Sequence, residues 1–121
     1  MANTFKVVTF AAEPNSAGTP YVMYTVASST TAVVLGLVLS NINTTAVTAE
    51  VELVSTTSSR GGANNVANGT SFLIKDVSIP TGSSLEILSG GKVVLEAGDK
   101  IQIDCSVADK LSGTLSIMEI T

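Results

Sequence analysis

The chain is divided into short runs that are too brief and too rich in Val, Ile and Thr to be helices. FKVVTF (Phe5–Phe10), YVMYTVA (Tyr21–Ala27), AVVLGLVLS (Ala32–Ser40), AVTAEVELVS (Ala46–Ser55), SFLIKDVSIP (Ser71–Pro80), LEIL (Leu85–Leu88), KVVLE (Lys92–Glu96), KIQIDCSV (Lys100–Val107) and TLSIMEI (Thr114–Ile120) are separated by clusters of Gly, Asn, Ser and Pro. This punctuation predicts an all-β chain of about eight or nine strands in a single antiparallel β-sandwich, jelly-roll-like, and no helix. A length of 121 residues suits one domain. In Ala46–Ser55, Val47, Ala49, Val51 and Leu53 alternate with Thr48, Glu50 and Glu52, so one face is wet. The run Ala32–Leu39 is apolar on both faces and needs cover on both, either from a central position or from another subunit. AAEPNSAGTP, with Pro14, Gly18 and Pro20, reads as a loop. TTSSRGGANNVANGT (Thr56–Thr70) reads as an exposed loop or a hairpin ending at Asn68-Gly69. The expected organisation is an N-terminal arm or first strand over residues 1–10, then a sandwich over 11–121.

Charged residues make up 13% of the chain, against about 25% in a typical soluble domain. Its apolar fraction of 45% is ordinary, and the mean hydropathy is +0.45. Ser, Thr, Ala and Gly have replaced the missing charge. A surface with so few Lys and Glu is poorly guarded against association, which points to surfaces covered by partners. The alternative is a very stable monomer with a hydroxyl-rich coat. A net charge of −4 with six scattered basic residues gives no basic stripe, which argues against nucleic acid as a partner. MANTFKVV lacks the layout of a signal peptide, so synthesis in the cytoplasm without export is expected. The longest apolar run, Ala32–Leu39, is far short of the roughly 18–20 residues of a membrane span. Cys105 is the one cysteine, which excludes an internal disulfide and a thiolate metal cluster.

Three carboxylates crowd the stretch VVLEAGDKIQID, and it is the best place in the chain to look for chemistry. Glu96 and Asp99 flank Ala97-Gly98, where Gly supplies positive φ and Asp bonds nearby amides, so this is turn chemistry. Asp104 falls on the polar side of the following strand, more than about 10 Å of extended chain away. The six to eight oxygens of a calcium site are not assembled by this pattern. The chain has no His, which removes Ser-His-Asp and Cys-His nucleophile pairs, and it holds none of the usual phosphate-loop, dinucleotide or nucleophile-elbow motifs. No catalytic residue, metal ligand or cofactor site is expected, and the chain reads as a non-enzyme. Cys105 alternates with Ile101, Ile103 and Val107 on the side expected to face inward and reads as a small core residue. Asn43-Thr44-Thr45 and Asn68-Gly69-Thr70 match the glycosylation sequon, which has no consequence without export. A lone Arg60 before Gly61-Gly62 is a weak contact signal. Tyr21 and Tyr24 suit either an interface or core packing.

The phrase IPTGSSLEILSGGKVVLEAGDKIQIDCSVADKLSGTLSIMEIT, with VVLGLVLSNINTTAVTAEVEL and the start MANTFKVVT, resembles small virion structural proteins of tailed phages, notably those of marine bacteria and cyanobacteria. Its specific parts are I-P-x-G-S-S-L at Ile79–Leu85, L-E-A-G-D at Leu95–Asp99 and S-I-M-E-I at Ser116–Ile120. Arg60–Gly69 looks like an insertion. The resemblance implies a sandwich or jelly-roll module, virion-located, that decorates or cements a capsid, or else serves as a collar, adaptor or fibre-attachment subunit at the neck or tail. It implies no catalytic residue. Expected partners are further copies of the chain, as a homotrimer, together with the major capsid protein or neck and tail proteins, and no membrane. Phe5, Val7, Tyr21, Tyr24, Val34, Leu37 and Arg60 are the interface candidates. A carbohydrate-binding module is a further alternative, weakened by 4% aromatics and no Trp.

Overall fold

The computed structural model describes residues 2–55, 69–88 and 91–121. Nine strands form within them, in the order β1 (Asn3–Glu13), β2 (Tyr21–Thr25), β3 (Thr31–Asn41), β4 (Val47–Val54), β5 (Thr70–Ile79), β6 (Ser84–Glu86), β7 (Val93–Leu95), β8 (Lys100–Cys105) and β9 (Leu111–Ile120). Every run singled out in the sequence is a strand, and no helix occurs among the described residues. Residues 56–68, including Arg60, lie outside the described residues; the hairpin leading into them closes with Ser55 N–H donating to the Gly69 carbonyl at 3.0 Å. β1 begins earlier and ends later than FKVVTF and runs through the boundary between residues 10 and 11.

The strands form two antiparallel sheets. One has five strands in the order β1-β9-β3-β6, with β7 also paired to β3; the other has the order β2-β8-β4-β5. Short β6 and β7 occupy a single strand position in two pieces, pairing with Val38–Ser40 and Ala32–Val34 respectively. Counted that way, eight strand positions in two four-position sheets give the jelly-roll arrangement. The ladder of β1 and β9 continues to the chain ends, where Ala2 and Thr121 exchange backbone hydrogen bonds of 3.1 and 3.0 Å.

Inward-facing side chains of both sheets form one core, with Leu37, Leu39, Leu95, Leu111, Leu115 and Ile117 from the five-stranded sheet meeting Val51, Ile79, Ile101 and Ile103 from the other. β3 is a central strand, paired along both edges and covered by the core on its inner face. A bulge where the register slips between Val34 and Gly36 switches its parity, so that Ala32, Val34, Leu37 and Leu39 all point inward. Val34 and Leu37 are therefore covered by the protein's own core, at 1% and 0% exposure, and are not available to a second chain. The same switch leaves Val33, Leu35 and Val38 on the outer side.

The sheets are joined along one side by aromatic packing. Phe10 of β1 meets Tyr21 of β2 edge-to-face, ring centroids 5.3 Å apart. Phe10 lies directly over Gly113, its cross-strand partner on β9. A Cβ at Gly113 would lie 2.3 Å from Phe10 Cε2, so the absent side chain makes room for the ring. Gly113→Ala is expected to lower unfolding free energy by about 1–3 kcal/mol, the usual cost of overpacking a filled core. Urea denaturation checks it, and a midpoint equal to that of the unaltered protein refutes the close-packing argument.

Candidate functional site

The acidic stretch is a turn joining β7 to β8. Asp99 N–H donates to the Glu96 carbonyl at 3.0 Å, Asp99 Oδ2 accepts from Glu96 N–H at 3.0 Å, and Gly98 has φ of 89°. Those features define a tight turn with Gly at its positive-φ position. The backbone just after β2 holds it in place, with Gly98 N–H donating to the Val26 carbonyl and Val26 N–H to the Asp99 carbonyl, both at 2.9 Å. Asp99 is buried because it is part of this backbone network.

Asp104 takes part in a different structure. Although it alternates outward from Ile103, it is buried, because the 16–19 turn folds over it and Gly18 N–H donates to its Oδ1 at 3.1 Å, beside Cys105 N–H at 2.8 Å. With Glu50, Asp76, Thr48 and Ser106 it lines an open pocket of about 170 Å³. Glu50 is engaged by Lys75 at 3.1 Å, and among the described residues no three His, Cys, Asp or Glu side chains are grouped to hold a metal ion. Cys105 is buried on the core side, and desolvation pushes its thiol up, which makes it a poor nucleophile.

A polar clamp closes the side of the sandwich where Phe10 and Tyr21 meet. Glu119 of β9 points inward with its cross-strand neighbours Thr4 and Ala32, receives Lys6 Nζ of β1 at 2.7 Å, and accepts the Tyr24 hydroxyl of β2 at 2.5 Å. Lys6, and then Tyr24, hold the Glu119 carboxyl below its ordinary range. Burial, and then the hydrogen bond to Glu119, push the Tyr24 phenol up. Both tyrosines expected at an interface are thus engaged within the chain, Tyr21 by Phe10 and Tyr24 by Glu119.

Phe5 and Val7 alternate outward with Lys6 and are 71% and 64% exposed. Cross-strand register places Phe5 beside Met118, Met118 beside Val33 and Val33 beside Val94, so one apolar row crosses β1, β9, β3 and β7. Val94 is 62% exposed, and Leu35 at the bulge is 36% exposed. Ile120 lies between Asn3 and Thr31 on one side of this row, and Val7, Ser116 and Gly36 share the next row on the other. Thr9, Thr114 and Val38 follow, ending at Glu86. Among the described strand residues directed outward from this sheet, Glu86 is the one charge; Lys92 and Glu96 flank β7 beyond its ends. The outer face of the four-stranded sheet is the opposite in character. Glu50 stands beside Asp104, and Glu52 takes a 2.6 Å hydrogen bond from Gln102. Lys75, bonded to Glu50, covers the Phe72 ring at 4.5 Å. Of the sequence's interface candidates Phe5 and Val7 lie on this face, while Val33, Val94 and Met118 carry in sequence only the signal of outward parity in three separate runs.

No known protein family and no curated protein matches the chain. Among solved structures it is similar to one described as "Bacillus endospore appendages form a novel family of disulfide-linked pili", at 18% identity and a TM-score of 0.47 over 99% of this chain and 87% of that one.

The clamp gives an acid-sensitive contribution to stability. A carboxyl depressed in the folded state stabilises fully above its unfolded value of about 4.3 and loses that contribution as pH falls through the folded value. The unaltered protein is expected to lose melting temperature more steeply than Glu119→Gln as pH is lowered from about 5. At neutral pH, a Tyr24→Phe and Glu119→Gln double-mutant cycle is expected to give a coupling of about 1 kcal/mol. Parallel pH profiles and zero coupling would show that the two side chains act independently.

Proposed function

We propose that the chain is a structural subunit of a phage virion, a capsid decoration or cement protein that binds the major capsid shell from outside and stabilises it. The observation that carries this reading is the outer face of the five-stranded sheet, apolar and almost without charge while the opposite face is rich in ions. A protein that worked alone in water would gain nothing from such a face, whereas a subunit of an assembly covers it. Jelly rolls serve viral capsids and lectins alike, so the fold does not choose between them. The sequence motifs favour the virion: Ile79–Leu85 forms the turn from β5 into β6, Leu95–Asp99 the turn from β7 into β8, and Ser116–Ile120 the end of β9. The subunit is made in the host cytoplasm, acts without cofactor or metal, and assembles with copies of itself.

Quantitative mass spectrometry of purified phage particles carrying this chain tests the proposal. A copy number on the order of hundreds is expected for a shell protein. About a dozen copies or fewer would move the chain to the neck or tail, as a collar, adaptor or fibre-attachment subunit. Its absence from particles would overturn the virion reading altogether.

A further inference from the structure

We infer that the outer face of the five-stranded sheet packs against the same face of a second copy of this chain, making a two-fold pair. The inference rests on reading the chain as an assembling subunit, and not on which particle it joins. The partner is identified by charge. Each copy carries a net charge of −4, so two copies that approach through the four-stranded sheet bring Glu50, Glu52 and Asp76 against their counterparts, with Lys75 and Lys100 as the cations on those strands to offset them. Like charges placed across an interface disfavour that contact. The five-stranded sheet carries a smaller penalty, because its outward strand residues are apolar (Phe5, Val33, Leu35, Val94, Met118 and Ile120 among them) or uncharged polar and glycine positions, with Glu86 at one end and the opposite charges Lys92 and Glu96 beyond the ends of β7. A face of this kind is complementary to itself, which is what a two-fold contact requires.

Size and geometry agree with this. Four strand positions at about 4.8 Å and about eight residues at about 3.3 Å give a face of about 19 by 26 Å, or about 500 Å² per copy. Two copies bury about 1,000 Å², at the lower limit for a specific interface, so the pair is a weak one. Sheets pack face to face through interleaved side chains about 10 Å apart, and Phe5, Val94 and Leu35 stand out from the surface to interleave in this way. Association by edge pairing through β1 is disfavoured instead. Lys6 sits on that edge strand pointing inward into its ion pair with Glu119, an inward charge of the kind that guards strand edges. The pair is therefore a dimer formed by faces, and not the trimer expected from the sequence.

Sedimentation equilibrium on the purified chain from about 1 μM to about 1 mM tests the inference. The expected result is a reversible rise toward twice the 12.3 kDa of one chain. Phe5→Glu combined with Val94→Glu, two exposed positions whose change leaves the core intact, is expected to hold the protein at one chain mass with unaltered circular dichroism. Ser78→Glu on the opposite sheet is expected to dimerise like the unaltered chain. A monomer throughout the range, a trimer, or a dimer that persists in the double variant each overturns the inference. The particle copy number is read separately, so a failed pairing and a failed virion assignment are distinguishable.

Discussion

The fold depends on the contact between two central strand pairs, β3 with β9 on one sheet and β4 with β8 on the other. Leu37, Leu39, Leu115 and Ile117 are fully buried against Ala49, Val51, Ile101 and Ile103. Each large side chain taken fully out of water contributes about 1.5–3 kcal/mol, and these positions alternate with outward residues along every one of the four strands. The edges are secondary to this contact. Phe10 over Gly113, and Lys6 and Tyr24 on Glu119, tie β1 and β2 to a core that is already closed.

Polar groups are used in the same economical way. Asp99 closes the turn between β7 and β8, Asp104 caps the 16–19 turn, and Asn41 donates to the Thr45 and Ile79 carbonyls while accepting from Asn43 N–H. Among the described residues no buried side-chain nitrogen or oxygen is left without a hydrogen-bond partner. The chemically distinctive feature among the described residues is a surface, the outer side of the five-stranded sheet, where Glu86 is the one charge on a strand.

That surface explains the unusual composition. A chain with 13% charged residues does not spread them evenly. The outer side of β4, β5 and β8 holds Glu50, Glu52, Lys75, Lys100 and Asp104, while the outer side of β1, β3, β7 and β9 holds Val, Phe, Met, Ser and Thr. The apolar run of β3 carries both consequences at once, supplying Val34 and Leu37 to the core and Val33 and Leu35 to the outer face.

Local signals were enough to locate all nine strands, the turn at Glu96–Asp99 and the inward residues Ile101, Ile103 and Cys105, because alternation, positive-φ glycine and short-range backbone bonding act within a few residues; the same alternation places Val107 inward, but β8 ends at Cys105 and Val107 is 37% exposed. Three features escaped them. Strand β1 runs past Phe10 to Glu13 although Ala11 and Ala12 carry no strand signal, since pairing with β9 resumes at Glu13 and Leu111 beyond an irregularity that takes in both alanines. Asp104 was outward by parity yet buried, because a turn more than 80 residues away in sequence folds over it. An unbroken apolar run hides a bulge, so the sequence alone offers Val34 and Leu37 to an interface while the structure buries both in the core. The sequence by itself determined which residues become strands and how few charges the surface carries. Only the tertiary structure decided which charges share a face and which apolar residues line up in a row. Register between strands is set by long-range packing, and neighbours across a sheet come from distant parts of the chain.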